Sequence, residues 1–448
     1  MNYNKNDTIA SIITPSGRSG IGVIRISGSQ VSVILRLTDN KKLIPWHGTL
    51  VNLSDRNKNP LDQAILLFFR GPYSYTAEDV IELQLHGNQV ILERVLREII
   101  AMEEIRLAEP GEFTLRAYLN GRIDLVQAEA VADLINASSE EAAEASLRSL
   151  QGTFSNRLNQ IQEAIRNLRI NLEVVLNFPE ESSQLETESI PVILKKVIDD
   201  FKRLLSQAEQ GLRLNRTRKI LIVGPPNSGK STLFNRLTES EGAIVTSIPG
   251  TTTDLIQQRM EIRGVAITIV DTAGLRETSN PIEIEGIKRA RDMTKEAEHI
   301  YYVIEEDSDF SKQKIAKDLK LSLEDNRITV VRNKIDLRSS KIDSKELIKL
   351  SAKSGRGINL LIADIEKRLA LKSKDSSQFI ARQRHIIALK GALKSLQRAY
   401  QIYLEKKEMI ELIAEEVDLA EKHIGSIIGQ TSSDELLHQI FSKFCIGK

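Results

Sequence analysis

Residues 224–231 read GPPNSGKS, which matches the GxxxxGK[ST] pattern of a loop that binds nucleotide phosphates. The mainly apolar run at 219–223 is typical of a buried parallel strand, and residues 231–237 continue in a helical pattern. The loop is therefore expected between a strand and a helix, as phosphate binding requires. A glycine-rich turn without a ligand is the alternative when this motif stands alone.

The residue types of the loop each suit a part of this chemistry. Gly224 and Gly229 let backbone N–H groups approach the phosphates, and the N-terminus of the following helix favours negative charge. Lys230 can reach the β- and γ-phosphates, and the hydroxyl of Ser231 can bind Mg²⁺. The amide oxygen of Asn227 can hold a monovalent cation against the phosphates, although asparagine equally often forms a turn.

Three further motifs follow in the order of a guanine nucleotide site. A strand-like run at 267–270 leads into DTAG at 271–274, whose carboxylate can hold the Mg²⁺ shell and whose glycine N–H can meet a γ-phosphate. Another run at 328–331 leads into NKID at 333–336, whose aspartate can accept hydrogen bonds from the N1 and 2-amino groups of guanine. Adenine cannot supply both donors, and SAK at 351–353 completes the base pocket. The predicted nucleotide-binding residues are Asn227, Ser228, Gly229, Lys230, Ser231, Thr232, Thr246, Ser247, Ile248, Pro249, Gly250, Thr251, Thr252, Asp271, Thr272, Ala273, Gly274, Asn333, Lys334, Asp336, Ser351, Ala352 and Lys353.

The position after the DTAG sequence is unusual for a nucleotide hydrolase. Leu275 lies where Ras-like enzymes carry a glutamine that positions the attacking water, and an apolar side chain cannot orient water. Hydrolysis must therefore recruit another group. Glu277, Glu283 and Glu285 are candidates, although each also fits a solvated loop carboxylate.

Composition limits the class of protein. The chain has 448 residues, a formal net charge of +1 and a single cysteine, Cys445. The length suits two or three domains, and the balanced charge means that any RNA contact is a local patch. One cysteine excludes an intrachain disulfide, and an isolated cysteine is often an inert core residue. Apolar runs such as 64–69 are too short to span a bilayer, and residues 1–10 show no leader pattern, so we expect a cytoplasmic protein without a membrane anchor.

Three kinds of sequence pattern predict a multidomain α/β protein. Residues 1–120 show the short strand-like runs of an α+β domain, and residues 121–214 are helical. Residues 217–372 carry the motifs of a Ras-like P-loop domain, and residues 380–448 are helical again. The economical interpretation is a discontinuous all-α domain interrupted by an inserted GTPase domain, with two independent bundles as the alternative. In the first domain the expected strands are 21–26, 63–69 and 79–85, and the expected helix is 89–102.

Local signals predict where helices begin and end. Ser138 and Glu141 have the spacing of a capping box. The Phe-Pro pair at 178–179 is expected to end a helix, and Pro191 is expected to begin the next one. The polar, basic stretch 213–219 is expected to be a linker to the nucleotide domain.

Several stretches together resemble one known family. They are TPSGRSGIGVIRISG at 14–28, YSYTAEDVIELQ at 73–84, PGEFTLR at 110–116, LNGRIDLVQAEAV at 119–131, GTTTD at 250–254 and CIGK at 445–448. In these sequences the chain resembles the tRNA modification GTPases called MnmE or TrmE, from the first strand to the last residue.

The resemblance implies that the N-terminal domain binds 5-formyl- or 5,10-methylene-tetrahydrofolate as a one-carbon donor and also dimerises. The matching positions are Arg25, Glu82, Arg122 and Lys448. From the residues alone, Arg25 would be a charge on a strand face and Glu82 a carboxylate at a strand edge. The resemblance also implies that the thiol of Cys445 is needed for tRNA modification.

The resemblance further implies K⁺-dependent GTP hydrolysis driven by dimerisation of the GTPase domains. Glu283 matches the water-activating glutamate of the family, whereas Glu285 has no such role. The implied Mg²⁺ ligands are Ser231 and Thr252. The implied K⁺ ligands are Asn227 and the backbone around Thr246, Ile248 and Thr251.

Three positions depart from the family pattern. The usual GTTRD is GTTTD here, so Thr253 cannot make a contact that belongs to the arginine. HGN at 86–88 replaces the more usual HGG beside the folate site, and Pro249 stiffens the loop expected around K⁺.

The implied function is GTP-driven modification of tRNA. With an FAD protein of the MnmG or GidA type, the homodimer would add a carboxymethylaminomethyl or aminomethyl group at C5 of the wobble uridine of certain tRNAs, while its G domains open and close. One alternative is a ribosome-assembly GTPase of the Era or EngA kind, although the sequence shows neither a KH domain nor a second G domain. Another alternative is a folate-dependent one-carbon transfer enzyme regulated by GTP.

Overall fold

The structure is a computed structural model of the chain, and its described residues fall into two compact units. The first unit contains Met1–Ile135, Ser146–Glu209 and Phe379–Lys448, and the second contains Asn136–Ala145 and Gln210–Gln378. The chain thus leaves the first unit and returns to it twice. The described residues are 7–39, 42–137, 140–177, 184–215, 220–225, 227–238, 243–245, 257–262, 265–270, 294, 297–305, 327–337, 347–368, 378–406, 409–430, 434–442, 444 and 447.

A six-stranded sheet occupies the N-terminal part of the first unit. Its strands are β1 (Thr8–Ile12), β2 (Ile21–Ser27), β3 (Gly48–Ser54), β4 (Pro60–Phe69), β5 (Val80–His86) and β6 (Ile105–Leu107). Their spatial order is β3-β4-β5-β2-β1-β6, and all neighbours are antiparallel except β1 and β6. Alternating strand residues such as Ile24, Ile26, Ile81 and Leu83 are buried, because successive side chains point to opposite faces. The three strands predicted for this region are confirmed.

The α-helices, numbered in chain order, are α1 (Gln89–Ile100), α2 (Glu112–Leu119), α3 (Leu125–Ile135), α4 (Glu140–Leu150), α5 (Thr153–Asn177), α6 (Gln184–Asn215), α7 (Lys230–Thr238), α8 (Ile358–Arg368), α9 (Gln383–Glu405), α10 (Ile410–Ile428) and α11 (Asp434–Phe441). In the first unit α1 packs on the sheet, and α10 packs against both α5 and α9. Ile165, Leu168 and Leu172 of α5 are fully buried, so the helical spacing predicted from the sequence is the face that packs.

Two of the expected helix boundaries are wrong. Pro191 lies inside α6 instead of beginning it. Ile190 and Leu194 on either side are fully buried, so the continuous apolar face outweighs the backbone hydrogen bond that proline cannot donate. The linker expected at 213–219 is also partly helical, because α6 continues to Asn215. The capping box at Ser138 and the break at 178–179 lie outside the described residues.

The second unit contains β7 (Ile220–Val223), β8 (Ala243–Val245), β9 (Gln257–Ile262), β10 (Val265–Val270), β11 (His299–Glu305), β12 (Ile328–Asn333) and β13 (Leu347–Lys349). A parallel sheet has the order β13-β12-β11-β7, and an antiparallel sheet has the order β10-β9-β8. Every residue of β7 is buried, as is usual for a parallel strand covered on both faces. The carboxyl ends of the parallel strands meet at one edge, which is where open α/β sheets bind ligands.

The lengths and polarity of the helices bear on membrane insertion. No helix within the described ranges is both long enough and apolar enough to cross a bilayer.

Candidate functional site

The GPPNSGKS loop connects β7 to α7. Lys230, the first residue of α7, is 6% exposed, and its ammonium group donates hydrogen bonds to the carbonyl oxygens of Gly224 and Pro225, both at 3.0 Å. Ser231 and Thr232 follow in the first turn of α7 and are exposed. The loop therefore places a buried cation and an exposed hydroxyl at a helix N-terminus, where phosphate groups bind.

Two glycines of the loop are required by close backbone approach. A Cβ atom on Gly224 would lie 2.1 Å from the carbonyl oxygen of Val303, and one on Gly229 would lie 2.3 Å from the side-chain nitrogen of Asn333. Asn227 has a positive φ of 64° and is exposed. Asparagine adopts this left-handed backbone conformation more readily than most residues. The backbone conformation of Asn227 is therefore compatible with a turn-forming role. Its exposure is compatible with the other interpretation, an amide that binds a cation.

Asn333 joins the loops of the nucleotide site. This residue ends β12 and is 2% exposed. Its side-chain nitrogen donates to the carbonyl oxygen of Ser228 at 2.9 Å, and its side-chain oxygen accepts from the N–H of Lys334 at 2.8 Å and from the N–H of Ala352 at 2.9 Å. One buried amide therefore holds the phosphate loop, the NKID loop and the SAK loop together.

Asp336 and Ser351, two of the residues predicted to read the base, form a hydrogen-bonded pair. The Ser351 hydroxyl donates to a carboxylate oxygen of Asp336 at 2.6 Å, and it accepts from the N–H of Ser354 at 3.1 Å. The hydrogen bond from Ser351 lowers the pKa of the Asp336 carboxyl below its ordinary value. Asp336 is exposed, so its ionised carboxylate is open to solvent and can accept hydrogen bonds from a ligand.

Two residues at this site were missed by sequence reasoning. Arg236 of α7 donates to the carbonyl oxygen of Ala352 at 3.2 Å and to that of Lys353 at 2.7 Å. Glu305, at the end of β11, is the other, and its carboxylate binds the ammonium group of the predicted residue Lys334 at 2.6 Å. Arg236 connects the helix that follows the phosphate loop with the SAK loop. No motif indicated it, because an arginine on a helix is ordinary until the fold places the second loop beside it.

A second group of predicted site residues lies on the six-stranded sheet. Arg25 of β2 faces Glu82 of β5, and its Nε and Nη2 atoms lie 2.9 and 2.8 Å from the same carboxylate oxygen. Its guanidinium carbon lies 4.9 Å from the ring centre of Tyr75 and 5.6 Å from that of Phe113, within cation–π range. Because β5 is an interior strand, the expectation of a strand-edge carboxylate at Glu82 is wrong.

The Arg25–Glu82 pair presents a donor beside an acceptor. The Nη1 atom of Arg25 and the second carboxylate oxygen of Glu82 make no hydrogen bond with the described residues. Both side chains are 17% exposed, so both atoms suit a ligand that carries a carbonyl next to an N–H group. Burial raises the pKa of Tyr75, whose hydroxyl lies 2.8 Å from that of Thr114, so this phenol stays neutral.

The C-terminal residues return to the same sheet. The Phe444 ring packs 5.5 Å from that of Phe441, and a Cβ atom on Gly447 would lie 2.5 Å from the carbonyl oxygen of Ile12 at the end of β1. Arg122, just beyond α2, is exposed. The chain end and the Arg25–Glu82 pair thus belong to the same unit.

Some of the predicted site residues lie outside the described part of the chain, and their roles stay predictions. They are Thr246, Ser247, Ile248, Pro249, Gly250, Thr251, Thr252, Asp271, Thr272, Ala273, Gly274, Glu283, Cys445 and Lys448. The same holds for Leu275, Glu277, Glu285 and Thr253.

Comparisons with known proteins cover nearly the whole chain. Residues 8–122 match the family described as GTP-binding protein TrmE N-terminus, and residues 125–445 match the family described as MnmE helical domain. The tRNA modification GTPase MnmE of Hamiltonella defensa subsp. Acyrthosiphon pisum (strain 5AT) is 42% identical over 456 residues, which cover 99% of each chain. That of Actinobacillus pleuropneumoniae serotype 3 (strain JL03) is 41% identical over 451 residues, with 99% of this chain and 100% of the relative covered.

Among solved structures, the G domain of the T. maritima FeoB iron transporter is 22% identical, with a TM-score of 0.25 and coverage of 34% of this chain and 96% of that chain. A likeness at this score carries no argument about function. The two family matches and the relatives point to the same family, and the order of the nucleotide-binding motifs is consistent with it. The chain belongs to the MnmE family of tRNA modification GTPases.

Proposed function

We propose that this chain is a GTP hydrolase that modifies tRNA together with an FAD-dependent protein of the MnmG or GidA type. The modification is a carboxymethylaminomethyl or aminomethyl group at C5 of the wobble uridine of certain tRNAs. Membership of the MnmE family supports this proposal. The observation that carries its GTPase part is the buried amide of Asn333, which holds the phosphate loop against both base-reading loops.

The nucleotide is bound by groups of complementary charge. Lys230 and the N-terminus of α7 attract the phosphates, and the exposed hydroxyl of Ser231 suits Mg²⁺, with Thr252 as the second proposed protein ligand. Mg²⁺ neutralises charge that develops on the phosphate oxygens during hydrolysis. Asp336 selects guanine, because its ionised carboxylate accepts from the two adjacent N–H donors of that base.

Asn227 fits a K⁺ ligand. Its amide is neutral and exposed, and it makes no hydrogen bond with any residue that the structure describes. The backbone around Thr246, Ile248 and Thr251 would complete the ion's surroundings. When bound, K⁺ supplies positive charge of the kind that an arginine finger supplies in other GTPases. Glu283 would orient the attacking water, in place of the glutamine that Leu275 replaces.

The Arg25–Glu82 pair is proposed to bind tetrahydrofolate in its 5-formyl or 5,10-methylene form. The Nη1 of Arg25 and the second carboxylate oxygen of Glu82, neither of which is hydrogen-bonded within the described residues, match a pterin ring, which has a carbonyl next to an N–H group. Arg122 and Lys448 would contact other parts of the same ligand. The folate would supply a one-carbon unit, and Cys445 would take part in the modification.

The proposed assembly is a cytoplasmic homodimer formed through the N-terminal domains. Its G domains would meet during the GTP cycle and so change the state of the complex with the FAD protein and tRNA.

The test is deletion of the gene, followed by mass spectrometry of tRNA nucleosides. We expect unmodified wobble uridines in the deletion strain, restored by the wild-type gene and by Asp199→Asn, an exposed control, but not by Asp336→Asn. Wobble uridines that stay modified after deletion would contradict the proposal. Disturbed ribosomal subunits without any tRNA change would favour the ribosome-assembly alternative.

A further inference from the structure

Arg236 of α7 holds the backbone of the SAK loop. Its Nε atom donates to the carbonyl oxygen of Ala352 at 3.2 Å, and its Nη2 atom donates to that of Lys353 at 2.7 Å. Two donors of one planar guanidinium group therefore bind two consecutive peptide carbonyls. Such a fork fixes the direction of the bound group as well as its distance, which the single ammonium group of a lysine does not.

The same loop is held from its other side by Asn333. The N–H of Ala352 donates to the side-chain oxygen of Asn333 at 2.9 Å, and Ala352 is 2% exposed. The N–H and the carbonyl of this one residue are thus bound by side chains from β12 and α7 respectively. A displaced loop would leave these buried backbone groups without partners, which is unfavourable.

Helix α7 fixes the position of Arg236. Leu233 and Leu237, on either side of it in the helix, are fully buried and belong to the same apolar cluster as Leu350 and Ala352. The helix begins at the phosphate loop, and Arg236 lies in its second half. One packed helix therefore connects the phosphate-binding end of the site with the SAK loop.

Ser351 lies directly before Ala352 and carries the hydroxyl that binds Asp336. This hydroxyl donates to the carboxylate at 2.6 Å and accepts from the N–H of Ser354 at 3.1 Å. Ser351 is fully buried, whereas Asp336 is exposed. Because the loop backbone sets the position of the hydroxyl, the orientation of the exposed carboxylate depends on where the loop is held.

We propose that Arg236 is a positioning residue that determines specificity for guanine. It fixes the SAK loop, and the loop orients Asp336 through Ser351, so Arg236 acts without touching the base. The oriented carboxylate accepts from the N1 and 2-amino groups of guanine, and hypoxanthine, which lacks the 2-amino group, binds more weakly. The inference rests on the nucleotide site of the proposed function and adds to it a residue that lies outside its motifs.

The test compares the binding of GDP and IDP to the full chain by calorimetry, because these nucleotides differ only in the 2-amino group. We expect the wild type to bind GDP at least about tenfold more tightly than IDP, and Arg236→Ala to reduce this ratio by at least about fivefold. Arg356→Ala is the matched control: it removes an exposed arginine just beyond the SAK loop and should leave the ratio within about twofold of the wild-type value.

The ratio separates positioning from a merely structural effect. A general loosening of α7 and the phosphate loop would weaken both nucleotides alike and leave the ratio unchanged. An unchanged ratio in Arg236→Ala, or an equal reduction in Arg356→Ala, would overturn the proposal.

A double-mutant cycle tests whether Arg236 acts through Ser351. In a Ser351→Ala background, Arg236→Ala is expected to change the ratio by less than about twofold, because the hydroxyl that it positions is already absent. The full fivefold reduction in that background would overturn the proposal.

A milder variant covers the case in which Arg236→Ala does not fold. Arg236→Lys keeps the charge but replaces the fork by one ammonium group, and we expect it to reduce the ratio by at least about twofold. An unchanged ratio in this variant would overturn the proposal. The wild-type measurement separates the two hypotheses: absence of GDP binding would contradict the nucleotide site itself, whereas tight GDP binding with equal discrimination in all Arg236 variants would contradict only the role of Arg236.

Discussion

Arg25 and Glu82 lie directly opposite each other on two interior strands, with 2.8 Å between the guanidinium and carboxylate groups. The two residues are 57 positions apart in the chain, so only the pairing of β2 with β5 brings them together. Each side chain is 17% exposed, so part of the pair is open to solvent. An ion pair in the middle of a sheet face is costly unless a partner or a function compensates for its desolvation.

Glu82→Gln is expected to weaken binding of 5-formyl-tetrahydrofolate by about tenfold to a hundredfold. The amide loses the negative charge, and a hydrogen bond to a charged group contributes about 1.5 to 3 kcal/mol. Isothermal titration calorimetry measures the affinity. Glu98→Gln on α1 is the control, because Glu98 lies away from the pair and only approaches Arg56 at 3.9 Å. Equal affinity of both variants would reject the folate site.

Asn227→Ala is expected to remove the difference between K⁺ and Na⁺ in GTP turnover. In the wild type we expect at least about tenfold faster hydrolysis in K⁺, since a positioned charge at developing anionic oxygens is worth more than 1.4 kcal/mol. The measurement is phosphate release at matched ionic strength. Asn359→Ala, an exposed asparagine of α8, should behave as the wild type. Equal wild-type rates in both salts would remove K⁺ from the account.

Acidification is expected to weaken GDP binding at a higher pH in Ser351→Ala than in the wild type. The Ser351 hydrogen bond lowers the pKa of Asp336 from 3.8, so the wild-type carboxylate stays ionised further into the acid range. Without the hydroxyl the pKa rises, and the acceptor for guanine is lost earlier as the pH falls. Fluorescence titration with a labelled GDP gives the affinity, and circular dichroism at each pH confirms folding. Coinciding pH profiles would show that the bond at 2.6 Å does not tune this carboxylate.

Glu129→Gln is expected to destabilise the first unit by about 1.5 to 3 kcal/mol, because it removes the charge that accepts the hydrogen bonds of Arg384 and His385. Glu129 on α3 is 2% exposed and binds Arg384 at 2.7 Å and His385 at 2.8 Å. Burial acts to raise its pKa, but His385 and Arg384 lower it well below its ordinary value. Its contribution to stability is therefore present above the unfolded pKa of 4.5 and is lost as the pH falls through the folded pKa.

Hydrogen exchange across α3 and α9 measures this effect, because a chain of two units need not unfold in one step. Glu163→Gln, an exposed site on α5, should leave protection unchanged. Equal protection in the two variants would show that the buried network does not stabilise the unit.

The nucleotide unit could be predicted from the sequence because each motif follows its own strand. The apolar run before Gly224 became β7, and the run at 328–331 became part of β12. In a parallel sheet the carboxyl ends of such strands meet, so local patterns were enough to assemble the loops. The bond from Asn333 to Ser228 joins residues 105 positions apart, but the motifs had already assigned both to one site.

Other features depend on tertiary contacts that leave no local pattern. Pro191 lies inside α6 because burial of its neighbours outweighs its helix-breaking tendency. Arg236 becomes a site residue only when the SAK loop lies beside α7. The contact of Gly111 with Phe441 joins two distant segments, and no periodicity or motif predicts it.

The most direct test of the account is calorimetric titration of the purified chain with GDP, ADP and XDP. We predict micromolar or tighter binding of GDP, no detectable binding of ADP, and a preference for XDP in Asp336→Asn, because an asparagine can donate to the 2-oxo group of xanthine where aspartate accepts from guanine. Two results would contradict the proposed GTPase: no binding of any of the three nucleotides, or binding of ADP as tightly as GDP. Either result would mean that the phosphate loop and the Asp336–Ser351 pair do not form the site described.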